Sequence, residues 1–310
     1  MWENSKGIGK LHSKNSEGTK PITPEQLVKG VVGLVSLPEV CIRISEMVEN
    51  PRYSASHIGN VIAKDAALTA RLLRIVNSAF YRFPSKIETV SRAITIVGNK
   101  ELKDLVLAAT IAGVFERISS DLVDLDTFWR HGIYCGILSR LIAENCNVLH
   151  SERLFAAGLM HDIGKLVICY KLPKIARQAS ALSVESNIPL YSAEQQILGF
   201  NHTQVGAELM NSWDFPLSHK MVALHHHSPL EVDNHAVEVS IVYLANIISH
   251  MAENGEIDQK RLNTIDKQIW QITRVDKNNI ETLLVDSRDH FIEALSLFRP
   301  KGDDPSNFAA

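Results

Sequence analysis

The sequence lacks the cysteine pairs that would signal a disulfide framework or a zinc motif. Its four cysteines, Cys41, Cys135, Cys146 and Cys169, form no CxxC. Three of them lie within apolar helical patterns, the usual setting of buried free thiols in a reducing compartment. β-Strand signals are nearly absent, with no Asn-Gly hairpin between alternating strands and no sustained apolar/polar alternation. No apolar run reaches the ~18 residues needed to span a membrane, and the polar N-terminus shows no signal-peptide core. There is no basic excess either: 32 Lys and Arg against 35 Asp and Glu leave a net charge of −3. General nucleic-acid binding is therefore not expected. These absences, with no internal repeat, leave a cytoplasmic, all-α protein with no membrane partner.

What is present is helical periodicity over 310 residues, long for one core, so two helical lobes are expected. Residues 1–20 read as a mobile polar tail that Pro21 and Pro24 bring to an end, with Thr23 placed to cap a helix. Residues 21–118 form the expected first lobe, with Leu68, Leu72, Ile75 and Val76 at helical spacing. Gly98 and Asn99 interrupt its last apolar stretch, Ile94 to Phe115. The polar run Ser119–Asp126 reads as a connection. Residues 119–275 form the second lobe, with helices expected over Thr127–Asn145, Ser151–Tyr170, Pro173–Ser186, Ser192–Leu198, Thr203–Ser212, Leu217–His225 and Val237–Ala252. Residues 276–310 read as a C-terminal helix, Asp276–Phe298, and a tail.

Histidines carry the chemical information in the second lobe. His131 shares a stripe with Phe128, Cys135, Leu138 and Ile142 and points inward, as a core histidine or a ligand. His161 and Asp162 are adjacent in an apolar helix flanked by Gly158 and Gly164, and burying such a pair needs a partner. A cation would meet that need, and so would an interhelix ion pair. The glycines permit close packing or leave room for a ligand. His202 follows Asn201, a plausible N-cap. The run His225-His226-His227 ends a helix, as two ligands or as a cationic C-cap.

The order His131, His161-Asp162, His202, His226-His227 resembles the HD superfamily and its HD-GYP branch. His202-Thr-Gln-Val-Gly206-Ala-Glu-Leu-Met is similar to that branch's HPxxGAxLL helix. The N-terminal half narrows the resemblance. Leu37-Pro38-Glu39-Val40, Ile62-Ala-Lys-Asp65-Ala-Ala-Leu68-Thr69-Ala70-Arg71-Leu72-Leu73 and Asn77-Ser78-Ala79-Phe80-Tyr81 resemble the signature of HDOD domains, over roughly residues 30–250.

The resemblance implies a second lobe built as an HD-type bundle around a metal cavity. It assigns His131, His161, Asp162, His202, His226 and His227 as ligands and leaves His225 out; that branch binds two or three iron or manganese ions, and a site rich in imidazole with one carboxylate suits one or two ions of iron, manganese or zinc here. Two departures bear on activity. The Gly-Tyr-Pro segment is missing after His226-His227, so cyclic di-GMP hydrolysis is not expected. Asn246 stands where the last acidic ligand would fall, which favours a single ion or partial occupancy. The implied function is that of a bacterial signal-transduction output or scaffold protein, its partner a signalling protein or a nucleotide ligand. The alternative is a metal-dependent phosphohydrolase with Asp162 and Lys165 as catalytic residues. Within the first lobe, Asn77, read as deep in an apolar helix, is expected to make structural hydrogen bonds.

Overall fold

Capping side chains set many of the helix starts in the computed structural model, which describes residues 22–33, 37–78, 83, 85–115, 123–149 and 151–298. The expected tails, 1–20 and 299–310, lie outside the described residues, as do most of the connection and the 118/119 boundary. The described residues contain no strand, as an all-α reading requires.

In chain order the helices begin with α1 (Pro24–Val32), α2 (Glu39–Glu49), α3 (Ala55–Ile62), α4 (Ala66–Val76), α5 (Val90–Val97) and α6 (Asn99–Phe115). Next come α7 (Leu125–Asn145), α8 (Glu152–Met160), α9 (Ile163–Lys171), α10 (Pro173–Ser186), α11 (Leu190–Leu198), α12 (His202–Ser212) and α13 (Leu217–His225). The chain continues through α14 (Ala236–Asn254), α15 (Gln259–Thr264), α16 (Lys267–Thr273) and α17 (Ile280–Phe298). Thr23 caps α1 through a capping box with Gln26, and Asp65 caps α4 by accepting from the Leu68 N–H. Gly98 ends α5 at φ +103°, a conformation that side chains disfavour.

Helices α2 to α6 pack on one another, and α6 also meets α8. The second set is built around α7, the long helix against which α8, α14 and α17 pack. Its inward residues, among them Ile133, Cys135, Ile137 and Leu138, are fully buried. Helix α12 packs on α9 and α13. Helix α1, expected with the first lobe, lies against α9 and α12 instead. Its buried face of Leu27, Val28 and Val31 finds its partners there.

Asn77 corrects one detail and keeps another. It is exposed at the C-cap of α4 rather than deep within it. Its side chain nevertheless makes three hydrogen bonds, each 2.7 Å: Nδ2 donates to the carbonyls of Leu73 and Ile87, and Oδ1 accepts from the Ile87 N–H. The Ala79, Phe80 and Tyr81 positions that follow lie outside the described residues. No helix among the described residues is long and apolar enough to cross a membrane.

Candidate metal centre

Close backbone packing brings the histidines together. A Cβ on Gly132 would sit 2.7 Å from the Leu159 carbonyl, and one on Gly158 would sit 2.8 Å from the Cys135 carbonyl. Only glycine lets α7 and α8 approach this closely, and His131 and His161 then meet with ring centroids 5.4 Å apart. Gly164 does the same between α9 and α12, where a Cβ would meet the His202 carbonyl and lie 2.6 Å from the Gly206 nitrogen. Both glycines flanking the His-Asp pair thus serve close packing.

The expected helix Ser151–Tyr170 is in fact two. It breaks at His161 and Asp162, where Asp162 adopts φ −98°, ψ 7°, and the Lys165 N–H bonds back to the Asp162 carbonyl at 2.9 Å. The break turns the Asp162 carboxylate into the bundle. Helical periodicity continues across both segments, so the sequence pattern does not reveal it.

Three imidazoles have their tautomers fixed by what their Nδ1 atoms contact. His161 Nδ1 donates to the Gly158 carbonyl at 2.7 Å, and His226 Nδ1 to the Ala223 carbonyl at 2.9 Å. His202 Nδ1 donates to Glu194 Oε2 at 2.6 Å. Imidazoles held this way turn Nε2 inward, where the neutral ring carries its lone pair, and all three face Asp162. Its Oδ1 lies 3.3 Å from His202 Nε2 and 3.4 Å from His226 Nε2. Its Oδ2 lies 3.3 Å from His161 Nε2 and 3.9 Å from His131 Nε2. His227 Nε2 lies 3.1 Å from His202 Nε2, and its ring stacks on Tyr191 at 4.3 Å.

Burial shapes the titration of these groups. It pushes His226 down to about 4, and it lowers His161 and, with the neighbouring histidines, His227. His202 goes the other way: against the effect of burial, its contacts with Asp162 and Glu194 raise it. For Asp162, burial opposes ionisation, but the neighbouring His161 ring and the Lys165 ammonium outweigh it and hold the carboxyl well below its usual range.

The donor set fits a metal ion. His161 Nε2, His226 Nε2 and Asp162 Oδ1 are buried and have no hydrogen-bond partner, an arrangement that is costly unless a cation satisfies it. Asp162, His202, His226 and His227 each place one donor atom within 4.8 Å of the others. Metal–ligand bonds of about 2.0–2.2 Å in a tetrahedron set donors about 3.3–3.6 Å apart, and the spacings above are close to that.

The other half of the cavity is weaker in charge. His131, His161 and Asp162 make a second group of suitable spacing, and Asn246 Oδ1 lies 3.1 Å from His131 Nε2. Asn246 is neutral, and Lys165 Nζ sits 2.5 Å from Asp162 Oδ2, where it neutralises the oxygen a second ion would use. His225 takes no part in either group.

Sequence reasoning missed Glu194, 3% exposed, which also accepts from the His202 backbone N–H at 2.9 Å. It missed His250 and Glu253 as well, which flank His131 on α14. The spacing Asn246, Ser249, His250, Glu253 was the available signal, because those positions share one helix face.

An all-helical bundle with a buried, carboxylate-centred histidine cluster defines the HD-type class. The HDOD domain family matches residues 34–229, and the chain belongs to that family. The fold is similar to that of a candidate phosphohydrolase from Shewanella amazonensis SB2B (TM-score 0.70, 23% identity, 88% of this chain and 97% of that one). It is also similar to an HDOD domain protein of unknown function from Geobacter sulfurreducens (TM-score 0.66, 20% identity, 89% and 97%). A signal transduction protein from Marinobacter aquaeolei VT8, again described as a candidate, matches with TM-score 0.64 and 18% identity over 86% of this chain and 60% of that one. In sequence, an uncharacterised protein of Treponema pallidum is 25% identical over 213 residues, 68% of this chain. That match spans 41% of the Treponema protein, so this chain corresponds to less than half of it.

Proposed function

We propose that this chain is a bacterial signal-transduction output or scaffold protein whose HD cavity holds one metal ion. It acts in the cytoplasm by presenting a surface to a signalling protein, or by responding to a nucleotide. The observation that carries this reading is the asymmetry around Asp162. Oδ1 faces the Nε2 atoms of His202 and His226, whereas Oδ2 is held by the Lys165 ammonium. His202, His226, His227 and Asp162 would hold the ion. Three imidazoles and one carboxylate suit zinc, iron or manganese better than magnesium or calcium.

Phosphohydrolase chemistry is the second reading, favoured by the presence of Lys165 beside Asp162 with 28% of its side chain exposed. A bound ion would supply Lewis acidity. Lys165 would hold a phosphate oxygen, and Asp162 would orient the ion's side of the substrate. Against it, Lys165 Nζ is already engaged by Asp162, and the Gly-Tyr-Pro segment of the cyclic di-GMP enzymes is absent. Metal analysis of protein purified without chelator, followed by a phosphodiester panel, tests the proposal. One ion and no turnover are expected. Turnover abolished by His161→Ala Asp162→Ala would establish the hydrolase instead. Metal-free protein in both forms would remove the metal site from either reading.

A further inference from the structure

The two ring nitrogens of His131 face different surroundings. Nε2 is on the cavity side, 3.1 Å from Asn246 Oδ1. Nδ1 faces outward, 3.3 Å from each carboxylate oxygen of Glu253 and 3.3 Å from Ser249 Oγ. Ser249 donates its hydroxyl hydrogen to the Asn246 carbonyl at 2.8 Å, so it turns a lone pair toward His131. His250 Nδ1 lies 3.2 Å from Glu253 Oε2, and its ring stacks on that of His131 at 4.5 Å. Two imidazole nitrogens, a carboxylate and a hydroxyl oxygen therefore surround one point. Acceptor atoms that converge in this way are satisfied either by a ring N–H hydrogen or by a metal ion among them.

We propose that His131 Nδ1, His250 and Glu253 form a peripheral site for a first-row divalent metal ion of the zinc type, outside the HD cavity. The donor atoms of the three lie within 4.8 Å of one another. The two contacts to Glu253, 3.3 and 3.2 Å, approach the spacing of about 3.3–3.6 Å that tetrahedral coordination requires. His250 has a side chain 62% exposed, which leaves its ring free to turn onto an ion, and two nitrogens with one carboxylate suit zinc. The residues come from two helices, α7 and α14, so an ion there would tie them together beside the cavity.

The site also decides what His131 can do for the cavity. A neutral imidazole has one lone pair. An ion on Nδ1 leaves Nε2 as an N–H donor to Asn246, and His131 is then withheld from the cavity. With the Nδ1 position empty, the opposite tautomer is open to it. This inference holds whether or not the cavity itself binds metal.

The test is zinc titration of the full-length chain after chelator treatment, with binding stoichiometry read by calorimetry and folding by circular dichroism. Wild type is expected to bind two equivalents. His250→Ala Glu253→Gln should lose one and keep the other, and Asp162→Asn should lose the cavity equivalent and keep the peripheral one. Unchanged stoichiometry in His250→Ala Glu253→Gln would overturn the inference, as would a folded Asp162→Asn protein that binds no zinc. Should Asp162→Asn fail to fold, the His250/Glu253 variant decides alone. A single wild-type equivalent that survives Asp162→Asn and disappears in His250→Ala Glu253→Gln would support the peripheral site while refuting the cavity reading.

Discussion

Asp104 on α6 and His219 on α13 face each other with Oδ2 and Nε2 4.0 Å apart, and both are buried. Neither Asp104 Oδ1 nor His219 Nε2 has a hydrogen-bond partner. Burial pushes Asp104 up to about 7 and His219 down to about 3. At neutral pH the imidazole is therefore uncharged and Asp104 is near its midpoint.

This pair makes stability depend on pH. The folded pKa of Asp104 lies above its ordinary value of 3.8, so the protonated form favours the folded state. That advantage is complete below about pH 4 and is lost as pH rises through about 7. Relative to Asp104→Asn, wild type is expected to lose on the order of 2–4 kcal/mol across that window. Thermal denaturation in a pH series reads the difference, and a flat difference would contradict it.

Glu194 accepts from both the ring and the backbone of His202, which fixes the tautomer and raises the basicity of Nε2. Glu194→Gln is expected to weaken cavity metal binding about 10–100-fold with the helical content unchanged. Equal affinity in competition with a chromophoric chelator would show that Glu194 only caps the helix.

Asn246→Asp should restore an anionic oxygen beside His131 Nε2. In the His250→Ala Glu253→Gln background, where only cavity ions are counted, the metal-to-protein ratio is expected to rise from one toward two. A ratio that stays at one would mean that the Lys165 charge, and not the missing carboxylate, limits occupancy.

Gly164→Ala should drive a methyl group into the backbone of α12. The neighbours are main-chain atoms that cannot swing aside, so a loss of about 1–3 kcal/mol or more is expected. Metal affinity should fall with it, because His202 is displaced. A melting temperature and affinity equal to wild type would show that α9 and α12 can part freely.

The histidine order was legible because His131 sits on an apolar stripe, His161-Asp162 is a polar pair within an apolar helix, His202 follows the cap Asn201, and His226-His227 close a helix. Glu194 was not, because it reaches His202 across the turn at Gly199 and nothing local marks an acidic residue as buried. His250 and Glu253 read as ordinary solvated helix positions until α7 is placed beside them. The short helices α15 and α16 carry too few turns to show periodicity. The docking of α1 on α9 and α12 is a contact between residues far apart in sequence, and no local pattern encodes it.

Helices α8 and α13 each start beside α6, with Arg153 and His219, and end at the cavity, with His161 and His226. At about 1.5 Å of rise per residue, each is a stiff strut roughly 10–12 Å long. An ion that draws on His226 and on Asp162, next to His161, would therefore pull on struts whose far ends abut α6. Loading the cavity would then be a mechanical act, felt at α6 without crossing a loop.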